Sequence, residues 1–351
     1  MIKVAFVRGA YLNEYETQTY LLIQNGVSIA YFSSLFPIHT ISNISQKKLL
    51  SLSDLQKIPF FSSPIKFLSN RLLGDSQVLF GLEEKIKHYD IIHTADPHYY
   101  YSYQVAKLRK KQSFTFVSTW WETIPFNNEG TRAKKNMKKF TMGLVDHFIC
   151  HTERARDCLI AEGIDSSKIT VQRLGVDLAK FVHLSGIQLA HKNKLTVLFV
   201  GRNVWEKGLG DLKEAAGKLQ ITNFKFQIKF KFIQNIKYNK ISKEYQSADI
   251  MVVPSKTTKT WEEQYGMVLL EAMASGLPVI AYSSGSIPEV LGNAGVLVPE
   301  GDTAQLSDKL RFLIENKSER LKLGTIGRKR VETFFDAKKC AKELEKFYKS
   351  I

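Results

Sequence analysis

The sequence predicts an α/β chain built as two doubly wound, parallel-sheet domains in tandem. Short apolar runs rich in β-branched and aromatic residues alternate with longer segments of helical spacing, the pattern of βαβ units. The pattern occurs as two series, separated by a weakly patterned stretch over residues 181–194. The 351 residues, 44% hydrophobic and 24% charged, are enough for two cores and match neither a disordered chain nor a disulfide scaffold.

The first series places strands at residues 2–7, 27–32, 90–93, 114–119, 147–151 and 169–172. The second places them at 195–201, 249–254, 278–281 and 295–298, alternating with helices over 209–219, 267–274 and 303–315. Residues 336–349 form a final amphipathic helix with Cys340, Leu344 and Phe347 on its apolar side. No internal repeat or low-complexity tract appears.

Lys and Arg number 50 against 34 Asp and Glu, a net charge of +16 spread along the chain, which fits either solubility or anionic partners. Three cysteines, Cys150, Cys158 and Cys340, have neither disulfide-framework nor metal-ligand spacing, so a reducing compartment is expected. The opening MIKVAFVRGA reads as a strand and not as a signal peptide, and no apolar run reaches the ~18 residues of a spanning helix. A cytoplasmic protein is expected, at most peripheral on a membrane surface.

In open parallel sheets ligands bind beyond the carboxyl ends of strands. The run LTVLFV ends in Gly201-Arg202, and the next loop carries Lys207 and Gly208. A guanidinium fork and an ammonium at one strand end can neutralise a diphosphate; a solvated βα loop is the plainer alternative. Farther on, Gly266 opens a helix whose first amides, of Met267 and Val268, are free to meet an anion. Glu271, in that helix, can accept both hydrogen bonds of a vicinal diol such as ribose, and Glu263, in the preceding loop, can accept from sugar hydroxyls. A surface helix acid and a helix-dipole partner are their respective structural alternatives.

The paired segments VLFVGRNVWEKG and EEQYGMVLLEAMASGLPVIAYSSGSIPEVLG resemble the donor-site signature of glycosyltransferase family 4, retaining nucleotide-sugar-dependent enzymes of GT-B fold. DIIHTADPHYYYSYQVAK, VDHFICHTERARDCLIAEGIDSSKITVQRLGVDLAKF and the helix after Phe334-Phe335-Asp336 follow in the family's order, so the resemblance spans nearly the whole chain. It implies an acceptor-side Rossmann-like domain over 1–183, a linker over 184–194, a nucleotide-sugar domain over 195–333 and a crossover helix over 334–351 that packs on the first domain. The two domains would face a cleft. It also implies a nucleotide-diphosphate sugar as donor, with no other cofactor and no metal. Arg202 and Lys207 would meet the diphosphate, and Glu271 the ribose. Glu263 would lie against the transferred sugar, and Gly266, Met267 and Val268 would offer amides. Transfer would proceed by front-face departure of the nucleoside diphosphate, with the protein stabilising charge on the leaving phosphate. The acceptor would be a glycan or a lipid-linked hydroxyl.

Two segments depart from the family pattern. Residues 220–248 are too short for the strand, glycine loop, helix and second strand expected there, which leaves a non-catalytic nucleotide-sugar or glycan-binding protein as the alternative function. Where many relatives have a histidine, this chain reads STWWETIPF, so Glu122 is the candidate proton acceptor, with a structural ion pair as its alternative. Asn13 and Asp96, each just past a strand, are candidate acceptor contacts; His93, ending a strand, is expected to bond locally. Residues 130–144 carry Arg132, Lys134, Lys135, Lys138 and Lys139 interleaved with Met137, Phe140 and Met142, the pattern of a helix lying on anionic lipid or of a solvated helix face. Residues 57–73, with Phe60, Phe61, Phe67 and Leu68, are the other candidate for membrane contact. A nucleic-acid acceptor is raised by the charge alone, and no DNA-reading motif accompanies it.

Overall fold

The computed structural model describes residues 1–39, 41, 44–55, 62–182, 194–219 and 227–351, with side chains left out for 62–66. It divides into two compact units, Met1–Leu174 with Cys340–Ile351, and Gly175–Lys339.

The first unit is a seven-stranded parallel sheet of β1 (Ile2–Gly9), β2 (Val27–Ser34), β3 (Gln46–Leu49), β4 (Ile91–Ala95), β5 (Thr115–Trp120), β6 (His147–Cys150) and β7 (Ile169–Val171), in the order β3-β2-β1-β4-β5-β6-β7. The central strands β1, β4 and β5 are buried almost throughout, as their near-continuous apolar runs require when helices cover both faces. β3 has no counterpart in the sequence reading because it is an edge strand, QKKL, with both lysines exposed and therefore no apolar alternation to detect. The final helix, Ala337–Ser350, closes this unit: Tyr348 Oη meets His93 Nδ1 at 2.6 Å, and His93 Nε2 meets Thr119 Oγ1 at 2.7 Å. His93 therefore does not bond locally as expected: its ring joins β5 and the final helix, and Tyr348, fully buried, lies deeper than Phe347.

The second unit has five parallel strands, β8 (Lys194–Val200), β9 (Gln227–Ile233), β10 (Ile250–Val253), β11 (Val279–Tyr282) and β12 (Val296–Val298), in the order β12-β11-β10-β8-β9. Residues 175–182, assigned to the first domain by the sequence reading, belong here: Val176 bridges Asp336, and the Phe181 carbonyl accepts from Arg328 Nη1 at 2.7 Å. The expected linker, except Lys194 at the start of β8, lies outside the described residues. Between Leu219 and Ala248 the described residues hold one strand, β9, one 3-10 turn (Tyr238–Lys240) and one short helix (Ile241–Gln246), and no glycine. Among the described residues no helix is long and apolar enough to cross a membrane.

Candidate functional site

In the second unit the predicted donor residues gather at the carboxyl ends of β8 and β10. β8 runs into Gly201 and Arg202, and a one-turn helix, Trp205–Lys207, presents Lys207. Its Nζ lies 2.7 Å from Glu263 Oε2 and 4.7 Å from the centroid of the Trp261 ring. The same carboxylate oxygen accepts from Ser255 Oγ at 2.8 Å. Gly285 makes room for this loop, since a Cβ there would lie 2.3 Å from the Glu263 carbonyl oxygen; that carbonyl accepts from Ser286 N at 2.8 Å. Arg202 is largely exposed, its guanidinium 3.8 Å from Glu206.

Gly266, at φ 74°, turns the chain into the Met267–Ala274 helix in a conformation that favours glycine. No acceptor in the described chain takes the amides of Met267 and Val268, both half-buried, so the helix start presents two open donors with the positive end of its dipole. One turn in, Glu271 is not a surface acid: it is 4% exposed, and Tyr245 Oη donates to its Oε2 at 2.7 Å. Burial pushes its carboxyl up to about 7, against hydrogen bonds from Tyr245 and Tyr238 and the charge of Lys180. Lys180 Nζ in turn lies 3.2 Å from the Tyr238 ring centroid. The site therefore combines a partly exposed cation–carboxylate pair with a deeply buried carboxyl.

The acceptor-side candidates lie in the first unit. Asn13 is the N-cap of the Glu14–Tyr20 helix: its Oδ1 accepts from Glu16 N, and its Nδ2 donates to the Tyr11 carbonyl, each at 2.8 Å. These bonds give Asn13 a capping role and leave one N–H and one lone pair of its amide for the acceptor contact expected of it. Asp96 and Glu122 follow β4 and β5. Trp121 N donates to Asp96 Oδ1 at 2.9 Å, and Asn127 and Asn128 donate to the two Glu122 oxygens at 2.8 and 2.6 Å. Burial first, then the neighbouring Glu122 charge, holds Asp96 well above the usual carboxylate range; burial likewise raises Glu122. His98, which the motif search passed over, is 4% exposed with Nδ1 lacking a partner, and burial with Lys134 and Lys138 keeps it neutral. Tyr245, Ser255, Trp261 and the Asn127-Asn128 pair were equally invisible, because each enters through contacts between segments distant in sequence or through a turn conformation.

The basic 130–144 segment forms the Arg132–Met142 helix, and it is not a free amphipathic helix. Met137 and Met142 are buried in the core, and Lys138, 1% exposed, is buried between Glu129 and Glu162. Of the 57–73 candidate, Lys57, Phe60 and Phe61 lie outside the described residues.

Two family models match the chain: one described as glycosyl transferases group 1 over residues 218–330, the other as glycosyltransferase family 4 over residues 45–180. The sulfoquinovosyl transferase SQD2 of Arabidopsis thaliana is 28% identical over 51% of this chain and 39% of its own length. The amylovoran biosynthesis glycosyltransferase AmsK of Erwinia amylovora is 30% identical over 51% of this chain and 50% of its own. The chain thus spans half or less of the length of these two curated relatives. Among solved structures, HepE of Anabaena in complex with UDP superposes with a TM-score of 0.70 over 100% of both chains at 14% identity, a likeness of fold. The two parallel sheets flanked by helices are the GT-B fold.

Proposed function

From the matches to the family 4 and group 1 glycosyltransferase models we propose that the chain transfers a hexosyl group from a nucleoside diphosphate to a hydroxyl acceptor, with retention and without a metal ion. The observation that carries this reading is the Lys207–Glu263–Ser255 cluster, in the loops leading to the helix whose amides at Met267 and Val268 are open. A diphosphate offers Lys207 a doubly charged partner in place of one carboxylate. As Lys207 turns to it, Glu263 Oε2 is freed to accept a hydroxyl of the transferred sugar while Ser255 holds the carboxylate in position.

Arg202, Lys207 and the two amides then stabilise the charge that grows on the phosphate as the sugar–oxygen bond breaks. The acceptor oxygen attacks from the same face, and in this reading Glu122 of the first unit is the candidate to take its proton, with Asp96 as a candidate acceptor contact. Glu271 is the ribose acceptor in this reading. AmsK is an amylovoran biosynthesis glycosyltransferase, and the acceptor class in this reading is a surface glycan or lipid-linked sugar.

The test is a hydrolysis and transfer screen against UDP-, GDP- and ADP-sugars in chelator. Lys207→Ala and Glu263→Ala should each lower turnover about 10²- to 10³-fold, the scale of lost transition-state donors, with melting temperature little changed. Tight sugar-nucleotide binding without turnover across a broad acceptor panel would instead support a binding protein, the reading favoured by the shortened segment before Ala248.

A further inference from the structure

Over its described side chains, from Phe67 on, the Ser62–Leu72 helix exposes its large apolar residues. Phe67, Leu68 and Leu72 are 65%, 55% and 65% exposed, whereas Ser69 on the opposite side is 6% exposed. At 100° per residue, Phe67, Leu68, Arg71 and Leu72 share one half of the helix and Ser69, Asn70 and Leu73 the other. Arg71 is exposed among the three apolar side chains. The chain leaves this helix through Gly74, whose Cβ would stand 2.9 Å from Lys134 Cα, so the first turn of the Arg132–Met142 helix adjoins it. That second helix exposes Arg132, Lys135 and Lys139, spaced three and four apart on one stripe. Glu129 meets Lys135 alone of these three.

We propose that the Phe67–Leu68–Leu72 face, flanked by the Arg132–Lys135–Lys139 stripe, docks the first unit on a bilayer surface that contains anionic lipid. Large apolar side chains beside exposed cations match the boundary between acyl chains and anionic headgroups. A second copy of this chain is the poorer occupant, because a two-fold contact through the same face would bring two basic stripes together. The core-facing methionines of the Arg132–Met142 helix take no part; the apolar anchor is the preceding helix.

Vesicle flotation tests this without any sugar donor, so its outcome is independent of the transfer activity. The full chain should float with phosphatidylcholine vesicles that contain phosphatidylglycerol, not with phosphatidylcholine alone, and less so as salt rises. Reversing Arg132, Lys135 and Lys139 to Glu should weaken binding more than about a hundredfold, each cation near an anionic surface contributing about fivefold. The triple variant Phe67→Ser, Leu68→Ser, Leu72→Ser should lose flotation with an unchanged melting temperature. Absence of flotation on anionic vesicles, or flotation that survives the serine variant, would overturn the proposal. So would a dimer of the parent chain that the same variant converts to monomer.

Discussion

The first strand of each sheet leads to a cation paired with a glutamate at nearly the same distance, and the two pairs sit in different surroundings. In the first unit Arg8, at the end of β1, meets Glu16 at 2.8 Å with the side chains 1% and 3% exposed. Its guanidinium also donates to Thr119 Oγ1 and to the carbonyls of Val7 and His93, and it lies 3.7 Å from the Phe6 ring centroid. In the second unit Lys207 meets Glu263 at 2.7 Å with 19% and 10% exposure, and its ammonium has no comparable set of fixed bonds. Distance alone does not tell a structural ion pair from an exchangeable one. Burial and the number of further partners do, since a planar five-donor group bonded on several sides cannot leave without exposing each of them.

Arg8→Ala should separate the two pairs most sharply. It leaves Glu16 buried without its counter-charge and should destabilise the fold by about 3–5 kcal/mol, the usual cost of breaking a buried pair from one side. Lys207→Ala should leave the urea midpoint nearly unchanged and act on turnover. Equal losses of stability in the two variants would erase the distinction.

Glu271 sharpens the comparison within the second unit, because it is a buried acid with no ion pair among the described residues. Its carboxyl, ordinarily near 4.5 and here about 7, is protonated more readily folded than unfolded. Its contribution to stability is therefore full below 4.5 and is lost as pH rises through about 7. Donor binding should run the other way, since a carboxylate accepts two ribose hydroxyls and a carboxylic acid does not. Calorimetric titration should show affinity rising about tenfold from pH ~6 to ~8, the change in ionised fraction across that midpoint. Glu271→Gln should flatten the profile, and Tyr245→Phe, which removes a donor to the carboxylate, should move its midpoint upward. A pH-independent affinity in the parent chain would remove Glu271 from the ribose.

The smallest effect belongs to Asn13. As an N-cap it should cost about 1 kcal/mol of stability on substitution by Ala, with acceptor KM unchanged in the transfer assay. A raised KM at constant stability would show an acceptor contact beside the cap.

The strands other than β3 and β9 were legible in the sequence, and so were the helices Leu209–Leu219, Met267–Ala274 and Thr303–Glu315, because long buried runs and 3.6-residue spacing announce themselves locally. β9 was not: QIKFKFI alternates lysine with aromatic residues in a segment that looked too short. The Lys317–Phe334 helix escaped because its charged residues blur the apolar stripe; only Gly324, Gly327 and Val331 are buried.

Residue types and their spacing along the chain determined the two parallel sheets, the family resemblance and the placing of Arg202, Lys207, Glu263, Gly266 and Glu271 at strand ends and a helix start. Chain order carries those features because each depends on neighbours a few residues away. Tertiary structure alone decided that Lys207 pairs with Glu263 across 56 positions, that Tyr245 seals Glu271, that Asn13 is a cap, and that Phe67, Leu68 and Leu72 turn outward. Those outcomes rest on burial and on partners brought together from distant segments, and a side chain's charge state and freedom to bind follow from that environment, which no local pattern encodes.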